Sequence, residues 1–239
     1  KPSKEQIINQ AFDFHSQGNI SEAAKYYQYF INQGFNDYRV LSNYVVILKD
    51  LGKLQEAELL QRKAIAIKPD YAEAHSNLGV ILKNLGKLQD AEFSYRKAIA
   101  IKPDYAEAHS NLSLILLKAK KFQEGWKEYE WRPEKIPQRE LIMNKANLKK
   151  PEWTRKDSGR VLLWGEQGIG DQILFSSLIP DLIKEVEQLL IQVDERLIPI
   201  FKRSFDEKII YLNQNNLNEK DFDFHISIAS LPKIFRNKS

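Results

Sequence analysis

The sequence predicts a helical solenoid over its first half and a doubly wound α/β half-domain with a parallel sheet over its last third. Three observations carry this reading. The string AIAIKPDYAEAHSNL at Ala64 to Leu78 returns at Ala98 to Leu112, a period of 34 residues. Within each period the apolar residues fall at helical spacing, as in Leu78, Ile81, Leu82 and Leu85. From Arg160 onward that pattern gives way to short apolar runs alternating with helical stretches.

Carried back and forward at the same period, the repeat gives units 4–37, 38–71, 72–105 and 106–132, so the first domain spans 1–132. Each unit is two helices. The break inside a unit falls at a glycine, Gly18, Gly52 or Gly86, where the left-handed conformation that ends a helix is free of a Cβ penalty. Units are parted at Lys68-Pro69-Asp70 and Lys102-Pro103-Asp104, where proline stops one helix and aspartate is expected to cap the next. Glu73 and Glu107, three residues on, suggest capping boxes, and Ser3 with Gln6 repeats the arrangement at the first helix.

In period and column chemistry these units resemble the tetratricopeptide repeat. The small-residue columns are Ala11, Val45, Gly79 and Ser113, then Ala23, Ala57, Ala91 and Gly125; the proline column holds Pro69, Pro103 and Pro133, with Phe35 departing from it. The resemblance implies an α-α superhelix with a concave groove, because a helical pair buries its apolar face only against a neighbouring pair. One column is asparagine throughout: Asn9, Asn43, Asn77 and Asn111. An amide donates and accepts, so a ladder of them suits the backbone of an extended peptide. Such a ladder is similar to that of O-linked N-acetylglucosamine transferases; asparagine is also ordinary in this column, and both readings stand. If the family's inward positions apply, Ser42, Val46, Lys49, Ser76, Val80, Lys83, Ser110 and Leu114 flank it, a mildly basic surface suited to an acidic or backbone-read polypeptide. His75 and His109, at one repeat offset, read as packing residues rather than metal ligands, since no third ligand lies in register.

The fourth unit ends in Trp126, Tyr129 and Trp131, aromatics read as a docking surface for the C-terminal part of the chain. Residues 133–158 read as a basic connector, with three prolines and Lys145, Lys149 and Lys150; RNA or an anionic surface is the alternative reading of that charge. Beyond it, 159–239 reads as strand 161–164, a glycine turn 165–170, helix 172–188, strand 189–193, helix 196–205, strand 208–212 and strand 222–229. Gly165-Glu-Gln-Gly-Ile-Gly-Asp-Gln172 lies at the carboxyl end of the first strand, where ligands bind in such sheets. It is neither a dinucleotide fingerprint nor a Walker loop, and Glu166 and Asp171 suit hydroxyls better than phosphates.

Trp126 to Arg132, Pro151 to Trp153, Leu162 to Asp171 and Asp223 to Pro232 together are similar to the N-terminal, Rossmann-like half of two-domain (GT-B) glycosyltransferases related to heptosyltransferases. The resemblance implies an acceptor loop with Glu166, Gly168 and Gly170, and Asp171 as general base toward an acceptor hydroxyl; capping of the helix start is the competing role for Asp171. It also implies a nucleotide-sugar donor held by a second α/β domain. With the chain ending at Ser239, the 239-residue piece is expected to be inactive alone, part of a transferase that recruits polypeptide through its repeats; a non-catalytic adaptor is the alternative.

The composition narrows the classes. Without cysteine there are no disulfides, thiolate metal sites or cysteine nucleophiles, and neither a metal nor a resident cofactor is expected. Thirty-six Lys and Arg against 32 Asp and Glu give a net charge of +4, too even a balance for a nucleic-acid face. No apolar run is long enough to cross a bilayer, which leads to the expectation of a cytoplasmic protein, with solenoid ends open to self-association.

Overall fold

The computed structural model describes residues 2–132, 149–212, 217–218 and 220–237. The chain forms two compact units, Lys1–Leu112 and Ser113–Ser239. Among the described residues no helix is long and apolar enough to cross a membrane.

In the first unit α1 (Lys4–Ser16), α2 (Ile20–Asn32), α3 (Tyr38–Asp50), α4 (Leu54–Ile67), α5 (Ala72–Asn84) and α6 (Leu88–Ile101) follow one another as packed pairs, and α7 (Ala106–Lys118) opens the fourth repeat. Apolar residues three and four apart make the inner stripe of each helix: Ile7, Ile8 and Ala11 on α1, then Val40, Leu41, Tyr44, Val45, Ile47 and Leu48 on α3. The capping box at Ser3 and Gln6 forms as expected. At α5 the expected aspartate cap does not: the N-cap is Tyr71, no side chain caps the helix, and Asp70 stays in the preceding turn. His75 Nε2 instead donates to Pro69 O at 2.9 Å, and His109 Nε2 to Pro103 O at 2.8 Å, so a histidine pins the turn that precedes the third repeat and the one that precedes the fourth.

The glycine ending each first helix is left-handed, with φ of 75° at Gly18, 73° at Gly52 and 78° at Gly86. In the fourth repeat the same place is taken by Lys120, at φ 59°, with its N–H on Leu117 O and that of Lys121 on Leu116 O. A Cβ in that conformation costs about 1–2 kcal/mol. Lys120→Gly removes that cost but gives the unfolded chain more freedom, worth about 0.5–1 kcal/mol. The expected net is a gain of up to about 1 kcal/mol, read as a higher urea midpoint for the unit with an unchanged slope.

The second unit holds α8 (Phe122–Tyr129) and a four-stranded parallel sheet of β1 (Arg160–Trp164), β2 (Gln188–Gln192), β3 (Ile210–Tyr211) and β4 (Phe224–Ser227), in the order β3-β2-β1-β4. Leu162 pairs with Leu190 on one side and His225 on the other. One face of the sheet, with Val161, Leu163, Leu189, Ile191 and Ile226, packs on α9 (Ile169–Ser176), α10 (Ile179–Ile183) and α11 (Ile198–Ser204) through Phe175, Ile179, Leu182 and Phe201. The other face is the smaller cluster of Leu162, Leu190 and Phe222. At the start of the sheet the Arg160 guanidinium, donating to both carboxylate oxygens of Asp223, holds that carboxyl down at about 2.

The structure corrects several element bounds. The helix expected over 172–188 starts earlier, at Ile169, and is broken: Pro180 has no N–H to continue α9, so it sits in the first turn of the separate α10. The strand expected over 222–229 stops at Ser227, whose Oγ takes the Ala229 N–H and turns the chain toward α12 (Leu231–Phe235). Most of the expected connector, 133–148 with Lys145, lies outside the described residues. Its end is not a solvated linker: Trp153 is buried, its N–H donates to His225 O, and the His225 N–H donates to Pro151 O along the edge of β4. Two of the three aromatics expected to dock do so, with Trp126 and Tyr129 each against Phe175 of α9, while Trp131 is exposed.

Candidate functional site

On the first helix of each repeat three columns lie at i, i+3 and i+6, and so share one helix face. The first is Asn9, Asn43, Asn77 and Asn111. Asn9 is exposed and the others half-buried; among the described residues, the amides of Asn9, Asn43 and Asn77 carry no hydrogen bond. Asn111 differs, accepting from Lys83 Nζ at 3.1 Å and donating to Glu107 O. The second column, Phe12, Val46 and Val80, is half-buried apolar surface. The third brings Lys49 and Lys83, half-buried at the ends of α3 and α5.

Two residues expected on this face are elsewhere. Ser42 and Ser76 are 4% and 1% exposed. Gln61, wholly buried, donates through Nε2 to Ser42 Oγ and to Ala74 O, so Ser42 and Ser76 belong to the interior between helices, while Ser110 is half-buried.

In the second unit β1 leads to β2 and β3 on one side, and the chain then crosses to β4 on the other. In an open parallel sheet of this strand order the switch point, where ligands enter, lies between the carboxyl ends of β1 and β4. Here the structure corrects the acceptor-loop assignment of Glu166. Its side chain is 0% exposed and receives Arg132 Nε at 2.8 Å, Arg132 NH2 and the Ser227 hydroxyl, all on Oε1. Arg132, 1% exposed, also donates to Ser230 Oγ, Tyr129 O and Glu130 Oε1, and its guanidinium lies 4.9 Å from the Tyr129 ring centre. The buried arginine accounts for the inward turn of the loop acid: without a carboxylate partner the desolvated guanidinium would be an uncompensated buried charge. The crevice is filled by the protein's own ion pair.

The remainder of the loop faces outward. Gln167 adopts φ 61° and accepts from Tyr129 OH at 3.3 Å, a bond that offsets part of its backbone cost. Burial raises the Tyr129 phenol above its ordinary value, with Gln167 and Arg132 pulling the other way. Gly168 is the N-cap of α9, and Gly168 and Gly170 are exposed. Asp171 sits in the first turn of α9 and is half-exposed; among the described residues its carboxylate makes no hydrogen bond, so it does not cap the helix. Gln172 reaches back instead, donating to Gln167 O and accepting from Asp194 N.

Family models of the tetratricopeptide repeat match residues 72–105 and 47–86. The chain carries tetratricopeptide repeats. It is 29% identical to protein FlbA of Caulobacter vibrioides (strain ATCC 19089 / CIP 103742 / CB 15) over 89 residues, which are 34% of this chain and 14% of FlbA, so it spans only a small part of that relative's length. Among solved structures, the crystal structure of MamA superposes with a TM-score of 0.51 at 20% identity, covering 54% of this chain and 75% of MamA. MamA residues 41 to the end from Desulfovibrio magneticus RS-1 give 0.50 at 14%, covering 54% and 72%. YrrB, a tetratricopeptide repeat protein described as having an unusual peptide-binding site, gives 0.50 at 15%, covering 54% and 66%. These likenesses show the solenoid fold.

The tetratricopeptide columns were legible because each recurs. Arg132, Ser227 and Ser230 were missed as site residues, for they meet Glu166 only through the tertiary fold. The available signal was an arginine closing an aromatic helix, a position that calls for a buried acid.

Proposed function

We propose that this chain is a polypeptide-binding tetratricopeptide module, and that the first-helix face of its repeats holds an extended segment through Asn9, Asn43, Asn77 and Asn111. The observation that supports it most is the set of three amides, at one repeat offset, that have no hydrogen-bond partner among the described residues. Each offers a donor and an acceptor to a peptide backbone. Replacing Asn9, Asn43 and Asn77 together by alanine is expected to weaken capture of extended peptides by about tenfold or more, at about 1 kcal/mol or less per rung. Fluorescence anisotropy on labelled peptides measures this, and undiminished affinity in the triple variant would reject the ladder.

For the second unit we propose the acceptor side of a sugar-transferring enzyme. Asp171, in the first turn of α9 beside the exposed Gly168 and Gly170, would take the acceptor hydroxyl proton. The oxygen then bonds to the anomeric carbon as the bond to the diphosphate breaks. Glu166, committed to Arg132, has no part in acceptor binding.

A further inference from the structure

The repeat face carries a metric as well as a chemistry. The first helices α3 and α5 touch directly, and Lys83 of α5 bonds Asn111 of α7. Helices in contact lie about 8–10 Å apart, and asparagine rungs one repeat apart are expected at that spacing. A β-strand repeats its facing every two residues, about 6.6 Å, and then at about 13 Å. Neither distance matches the rungs. A polyproline II helix turns once in three residues of about 3.1 Å each, so it presents the same face every 9 Å or so. Its backbone makes no internal hydrogen bonds, leaving every N–H and C=O open to an amide.

Resting on the peptide-binding reading above, we propose that the ligand is an acidic segment in polyproline II conformation with an apolar side chain at every third residue. Each turn sets one backbone amide on a rung of Asn9, Asn43 or Asn77 and one apolar side chain on the adjoining pad of Phe12, Val46 or Val80. The ammonium groups of Lys49 and Lys83 lie one helical turn further along the same faces and take the acidic side chains. A carboxylate that takes Lys83 from Asn111 also releases the Asn111 oxygen as a further acceptor, its Nδ2 remaining on Glu107 O. Proline is accommodated at one position per turn, because two N–H groups remain for the ladder.

The test compares two labelled peptides of equal length on the full chain: Leu-Glu-Pro repeated four times, and Leu-Glu repeated six times. The three-residue repeat is expected to bind about tenfold tighter or more, with an affinity that falls as salt rises. Lys49→Ala with Lys83→Ala is expected to remove most of that salt dependence and leave the apolar preference. Equal or tighter binding of the alternating peptide overturns the three-residue register, and no binding of the three-residue peptide overturns it too. If the alternating peptide binds and loses affinity in the asparagine variant, the ladder survives without this register; if no peptide responds to that variant, the peptide-binding reading fails as well. Circular dichroism of each variant confirms that the repeats remain helical.

Discussion

Arg132→Ala is expected to destabilise the second unit by about 3–5 kcal/mol, the largest effect of any single change at the sheet. The substitution removes every cation within hydrogen-bonding distance of the Glu166 carboxylate, whose side chain is 0% exposed. An unpaired charge at that depth is far costlier than the packing lost with the arginine stem. Among the described residues Glu166 Oε2 is buried with no hydrogen-bond partner even in the intact pair, and the Ser227 hydroxyl on Oε1 is a neutral donor that does not balance the charge. Arg132→Met with Glu166→Gln tests this reading. It fills similar volume without the charges and is expected to recover most of the stability, because a buried ion pair is worth little beyond its neutral equivalent. Urea unfolding followed by tryptophan fluorescence reads the effect, since Trp126, Trp153 and Trp164 lie in this unit. A loss under about 1 kcal/mol for Arg132→Ala would show that Glu166 is solvated and the loop open. The repeats supply the control: their circular dichroism at intermediate urea is expected to change little.

The contrast between the two units shows what the sequence exposes. In the repeats, identical chemistry recurs at one offset, so helix breaks, cores and the asparagine column can be read by alignment of the chain with itself. The parallel sheet was legible in outline from the apolar runs at Val161 to Trp164 and Leu189 to Val193. The misreadings have different origins: the family's inward positions placed Ser42 and Ser76 on the groove, the transferase resemblance placed Glu166 on an acceptor loop, and prolines and lysines marked the stretch around Pro151 to Trp153 as connector. Each is overruled by a partner far along the chain: Arg132 for Glu166, Gln61 for Ser42, His225 for Trp153. Proline breaking α9 from α10 was a local signal, overridden in the reading by the apolar run around it. The role assigned to Asp171 stands apart, since its environment is open and its partner would be an acceptor molecule.

Gly79→Val is expected to destabilise the repeats by about 3 kcal/mol, and its rescue distinguishes crowding from a backbone effect. A Cβ on Gly79 would lie 2.6 Å from Cε1 and 2.8 Å from Cδ1 and Cζ of Tyr95, a ring that is 0% exposed and has nowhere to withdraw. Carbon atoms prefer about 3.5–4.0 Å. In the preceding repeat the equivalent positions are Val45 and Gln61, a larger residue on α3 matched by a slimmer one on α4. The pair has exchanged volume between repeats. Gln61 is held by Ala74 O and Ser42 Oγ, and the residues one period on are Ala108 and Ser76, so a glutamine at 95 meets the same two acceptors. Tyr95→Gln alone is expected to cost about 2–3 kcal/mol through the void left by the ring. With both changes the loss is expected to fall short of the sum of the two single losses, by a coupling of about 2–3 kcal/mol in a double-mutant cycle. Additive losses would show that the two sites do not exchange volume. Such an outcome would leave glycine in α5 needed for its backbone, which the ordinary helical course of the chain there argues against.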